Sequence, residues 1–176
     1  MKPICAVMLV FLFLTAGCDD RRLAHAFARQ IEALDRKVEA ALKPLDDALV
    51  GIAISLNPDS VQSLDAARTA ALAQVKAIRS EFHATVESHP NLQFGKEMYD
   101  AFVKFLVVNI RLLEVDLLDI TDLMFRSMAN PTESRHRRAI PIKLKDFADQ
   151  TSRATSDVNA MLRDFGAAHG MKVYGN

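Results

Sequence analysis

The stretch LKDFADQTSRATSDVNAMLRDF, residues 144–165, sets Leu144, Phe147, Thr151, Ala154, Val158, Met161 and Phe165 at alternating steps of three and four. That spacing is one face of an α-helix, and the positions between are filled by Lys, Asp, Arg, Ser and Asn. The spacing predicts a helix that begins near Pro141, where a proline suits a first turn, and that is released by Gly166 and Gly170.

The same period extends toward the N-terminus. A third helix runs from about Leu92 or Lys96 to Ala129 and closes at Asn130-Pro131. Its apolar residues, among them Met98, Phe102, Phe105, Leu106, Ile110, Leu113, Leu117, Ile120 and Met124, cover well over half of the circumference. Lys104, Arg111, Asp119, Asp122 and Arg126 form a narrow polar arc. This helix is either the most buried of the set or one that offers a flank to a partner. A second stripe, Val61, Leu64, Arg68 through its stem, Ala71, Val75, Ile78, Phe82 and Val86, follows the start signal Asn57-Pro58-Asp59-Ser60 and ends at His89-Pro90-Asn91. The first stripe passes through Leu23, Phe27, Ile31, Leu34, Val38, Ala41, Leu45, Leu49, Ile52 and Leu56. It crosses Pro44 in phase, which favours one helix kinked at Pro44 over a break with a new helix after Lys43. Four long helices joined by short links predict an all-α, up-down-up-down four-helix bundle.

Composition agrees with that class. Lys plus Arg and Asp plus Glu both number 22, half of the chain is apolar, and six Gly, six Pro and two Cys are present among 176 residues. Balanced charge argues against a general nucleic-acid binder, and few Gly and Pro argue against collagen-like or disordered classes. Two cysteines cannot make a disulfide scaffold.

The N-terminus has a different character. Lys2 precedes an unbroken apolar run from Ile4 to Leu14, and Thr15-Ala16-Gly17-Cys18 follows. Eleven helical residues cover roughly 16 Å, short of a hydrocarbon core of about 30 Å, so the segment reads as a secretory signal rather than a membrane span. Leu14-Thr15-Ala16-Gly17-Cys18 resembles the lipobox of bacterial lipoproteins. The resemblance implies cleavage before Cys18, lipid (palmitate-type acyl chains among it) on that residue, and anchorage in a membrane facing the periplasm. Asp19 and Asp20 directly after the cysteine resemble the signal that retains lipoproteins in the inner membrane, which is therefore favoured over the outer. The expected organisation is a signal peptide at 1–17, a lipidated tether at 18–22, a single bundle at 23–170 and a tail at 171–176. Cys5 leaves with the signal and Cys18 is consumed, so no thiol chemistry is expected of the remainder.

The sequence carries no recognisable constellation for catalysis or a cofactor. No Gly-x-Ser-x-Gly, His-Glu-x-x-His or Gly-rich phosphate loop occurs, and Cys-x-x-Cys-His for covalent haem is absent. Glu133 and His136 carry one Glu-x-x-His spacing, where a di-iron bundle needs two on separate helices. Glu114, Asp116, Asp119 and Asp122 read as a solvated face. No enzyme activity, cofactor or metal is expected. Arg135, Arg137, Arg138, Lys143 and Lys145, with His136, cluster in the predicted link before the fourth helix, at the end away from Cys18. They either neutralise Asp119 and Asp122 or meet an acidic protein partner. The expectation is a lipid-anchored envelope protein that acts by binding another protein, as an assembly factor or as an inhibitor or immunity-type protein. The alternative is a small-ligand, metal or haem bundle, using the core near Met98, Phe102 and Met124 or the group Glu81, His83 and Glu87.

Overall fold

The computed structural model describes residues 4–87 and 95–170 of the chain. Helix α1 spans Ile4–Ile54, α2 Pro58–Glu87, α3 Lys96–Arg111, α4 Leu117–Ala129 and α5 Ser134–Ala168, and a π-helical turn at Leu112–Asp116 joins α3 to α4. Helical dihedrals persist through both junctions, so α3, the π turn and α4 make one rod. The result is the expected all-α four-helix bundle, and no strand occurs among the described residues. Residues 88–94, with His89, Pro90, Asn91 and Leu92, and the tail 171–176 lie outside the described residues.

Antiparallel order is fixed by contacts across the helices. Lys37 of α1 meets Glu81 of α2, and the Phe82 ring packs on Phe102 while Arg68 reaches the Leu113 carbonyl. Arg111 meets Gln150 and Lys143 meets Asp119, so residue numbers rise along the third rod as they fall along α5. The neighbours are α1 on α2, α2 on the third rod, and the third rod on α5.

The core follows the four stripes. Phe27, Ile31, Leu34, Val38, Ala41, Leu45 and Ile52 of α1 are buried, as are Val61, Leu64, Ala71, Val75, Ile78 and Phe82 of α2. Phe147, Ala154, Val158 and Phe165 of α5 close the interior. Burial at about 25 cal/mol per Å² of apolar area is what holds helices of this length, since propensity alone is marginal. Two stripe ends depart from expectation. Leu23 is 41% exposed because Ala24, one residue on, takes the buried position, and Leu56 is 42% exposed because it lies in the turn after α1.

Pro44 lies inside α1, as the in-phase stripe predicted. Pro44 and Ala40 are both exposed, so the carbonyl that loses its donor can meet water. The turn into α2 carries a reciprocal cap: Ser60 N–H donates to Asn57 Oδ1 at 2.9 Å, and Asn57 N–H donates to Ser60 Oγ at 3.1 Å. Gly95 precedes α3 where the chain touches α1, and a Cβ there would lie 2.9 Å from Phe27 Cε1.

The fourth helix corrects the sequence reading. It starts at Ser134, not near Pro141, and includes Pro141 in its second turn. Pro141 is exposed, so its ring meets no neighbouring helix, while Ile140 is buried and extends the Phe147 stripe backward. Residues 135–145 are therefore helix rather than link, and only residues 130–133 connect α4 to α5.

Candidate functional site

The first three turns of α5 carry five basic side chains, and their surroundings divide them. Lys143 Nζ pairs with Asp119 Oδ2 of α4 at 2.6 Å, and this hydrogen-bonded partner raises the lysine's pKa. Lys145 pairs with Asp149 one turn on at 2.6 Å, which raises the lysine and lowers the carboxyl. Both are internally neutralised. Arg135, Arg137 and Arg138 are exposed and form no ion pair among the described residues.

Their position makes that absence costly. The N-terminal turns of a helix carry the positive end of the macrodipole, where a cation is unfavourable by about 0.3–1 kcal/mol each. The first turn of α5 holds no acidic residue, and the carboxylate at that end is the N-cap residue Glu133, which lies against His136 at 3.4 Å rather than against an arginine. A helix carries 100° per residue, so Arg135, Arg138, Ile142 and Lys145, at steps of three, four and three, share one outer face. Ile142 is 63% exposed in the middle of that face. Arg137 sits off the stripe. It lines a separate notch of about 380 Å³ with Leu56, Ser127, Met128 and Ile140. That notch brings the α1–α2 turn to the start of α5, so the cluster stands at the bundle end away from residue 18. Along unbroken α1 the rise from residue 18 to residue 54 is about 54 Å.

The acidic stretch of the third rod, which contains the π turn, is divided among several partners. Glu114 pairs with Lys76 of α2 at 2.9 Å, Asp116 lies 3.5 Å from Arg111, and Asp119 takes Lys143. Sequence spacing alone gave no sign of the π turn, whose Leu117 N–H reaches back to the Leu112 carbonyl. A widened turn strands a carbonyl that needs a donor from outside the helix. Arg68 supplies one: Nη1 is 3.3 Å from Leu113 O, while Nε donates to Asp65 at 2.8 Å. The Arg68 side chain, which the sequence joined to the stripe through its stem alone, is only 11% exposed.

The metal candidates diverge. Glu81 accepts from Lys37 Nζ at 2.6 and 2.8 Å, and His83 Nδ1 lies 3.2 Å from Tyr99 Oη. Among the described residues no group of three His, Cys, Asp or Glu side chains is placed to hold an ion. Met98, Phe102 and Met124 are packed solid in the core. Glu133, the N-cap residue of α5, meets His136 of the first turn at 3.4 Å.

Two further cavities flank α5. One of about 590 Å³ lies toward α3, with Phe105, Val158 and Met161 in its floor and Glu97, Asp157 and Asp164 on its rims. The other, about 200 Å³, opens between α1 and α5 beside Asn109, Phe147 and Thr151, with Glu39 and Asp46 at its mouth. Close to it on α1, half-buried Asp35 has its pKa raised to about 6 by burial, reinforced by Glu39 and Glu32. No described helix is long and apolar enough to cross a membrane. No family model, curated protein or solved structure matches the chain.

Proposed function

We propose that this chain is a lipid-anchored, non-enzymatic envelope protein that binds an acidic protein partner through the far end of its bundle. The observation that carries the reading is the stripe Arg135–Arg138–Ile142, two arginines without internal partners around an exposed isoleucine at the positive end of a helix dipole. A fold that holds uncompensated cations where they destabilise it gains from an outside anion there. Arginine's fork of donors suits carboxylates, and an exposed aliphatic residue between two arginines adds the apolar contact that docking needs.

Anchorage rests on the lipobox-like residues Leu14 to Cys18. More than one acyl chain is needed for stable membrane attachment, and a lipidated, acylated Cys18 supplies that. Asp19 and Asp20 support retention at the inner membrane facing the periplasm. Unbroken α1 would then act as a spacer that presents the stripe about 54 Å from its lipid. That reach is several Debye lengths of about 8 Å, so headgroup charge does not compete for the arginines.

Fractionation of cells that produce Cys18→Ser tests the anchor. The variant is expected in the soluble periplasmic fraction, and its retention with membranes in a carbonate wash would overturn the reading.

A further inference from the structure

The notch at the far end of the bundle has a chemistry of its own. It is walled by Leu56 from the α1–α2 turn, Ser127 and Met128 from the last turn of α4, and Arg137 and Ile140 from α5. Its volume of about 380 Å³ lies in the range of roughly 300–1,000 Å³ in which proteins hold small ligands. Leu56, Met128 and Ile140 make the wall apolar.

Two polar groups are left over. Ser127 is 1% exposed, and its Oγ has no hydrogen-bond partner. Hydroxyls elsewhere on these helices donate to the carbonyl four residues back, as Ser80 does to Lys76 and Thr151 does to Phe147. Ser127 does not, and a buried hydroxyl without a partner is destabilising until something accepts from it. Arg137 is exposed on the same notch with no ion pair among the described residues.

One free guanidinium, one free hydroxyl and an aliphatic wall are complementary to a single class of ligand. The negative end must accept from both donors, and the body must be hydrocarbon. One arginine fork matches one carboxylate; a phosphate would draw on more cations, and Arg135 and Arg138 lie on another face. We propose that this notch binds an aliphatic carboxylate, with Arg137 paired to the carboxylate, the Ser127 hydroxyl donating to it, and the chain resting on Leu56, Met128 and Ile140. The assignment stands apart from the Arg135–Arg138 stripe. The chemistry is shared by a free fatty acid and by the C-terminus of a peptide that ends in an aliphatic residue.

The test is a titration of the full chain in lipid nanodiscs, with methyl-labelled methionine read by NMR. Three probes are used: octanoate, acetyl-Gly-Leu with a free C-terminus, and octan-1-ol. A saturable shift of the Met128 methyl is expected with one or both carboxylates, together with none at Met161 in the α3–α5 cavity. Tighter octanoate identifies a lipid-derived acid, and tighter acetyl-Gly-Leu identifies a peptide terminus. Arg137→Gln is expected to weaken the response about tenfold or more, and Ser127→Ala roughly three- to tenfold. Arg138→Gln should leave it unchanged. An equal response to octan-1-ol, no saturable shift with either carboxylate, or an Arg137→Gln variant that binds normally would each overturn the proposal.

Discussion

At the level of single residues, charge is where this protein departs from a merely well-packed bundle. Asp35 is the strongest case: burial together with Glu39 and Glu32 raises its pKa to about 6, so the folded state holds a proton that the unfolded chain releases near 4. Stability therefore falls as pH rises from about 4 to about 6 and stays at the lower level above that. Asp35→Asn removes the effect. It should stabilise the protein at pH 7.5 by about 1–2 kcal/mol once solvent screening of a half-buried group is allowed for, a gain in Tm of several degrees. The gain should vanish below pH 4, which calorimetry at the two pH values reads directly. Arg138 is the second case. Arg138→Glu places an anion near the N-terminus of α5 and should raise stability by about 0.5–1 kcal/mol in urea unfolding. The same substitution is expected to abolish partner binding. Both residues were visible in the sequence, but neither property was. Asp35 shares a face of α1 with Glu39, Leu42 and Asp46, which line the cavity toward α5, and only assembly shows that its carboxyl is half-buried there.

At the level of elements, the π turn decides how the third rod meets its neighbours. It inserts an extra residue between two helical segments of regular period, and the buried stripe resumes beyond it at Leu117 and Ile120. Arg68 stands beside the insertion, where its Nη1 is 3.3 Å from the Leu113 carbonyl. Arg68→Met keeps the apolar stem but removes that donor and leaves Asp65 unpaired. It should cost about 1–3 kcal/mol, seen as a lower urea midpoint at unchanged slope. The stripes of α1, α2 and α5 were legible because each keeps its period over many turns, and Pro44 was read correctly because the stripe stays in phase across it. Pro141 was not. A proline near the start of a periodic run is normally a boundary, and only the burial of Ile140 one residue earlier shows that the helix began at Ser134. The π turn left no signal at all, since Leu112 and Leu113 satisfy either register.

At the scale of the whole molecule, one helix joins the two ends. α1 runs from the apolar N-terminal segment to the turn at residues 55–57, and that turn meets the start of α5. The all-α architecture was legible in the sequence, because helical periodicity is a local pattern. The division of the basic cluster was not. Five cations within eleven residues looked like one patch, whereas helix geometry neutralises Lys143 and Lys145, turns Arg137 into a notch and leaves Arg135 and Arg138 as a stripe around Ile142. The account stands or falls on that stripe. A photo-crosslinking residue placed at Ile142 of the full-length protein in cells, with adducts identified by mass spectrometry, tests whether that stripe docks a partner. A discrete adduct with an acidic envelope protein, lost when Arg135→Glu and Arg138→Glu are combined, is expected; an adduct pattern unchanged by that pair of substitutions would rule the stripe out as the docking surface.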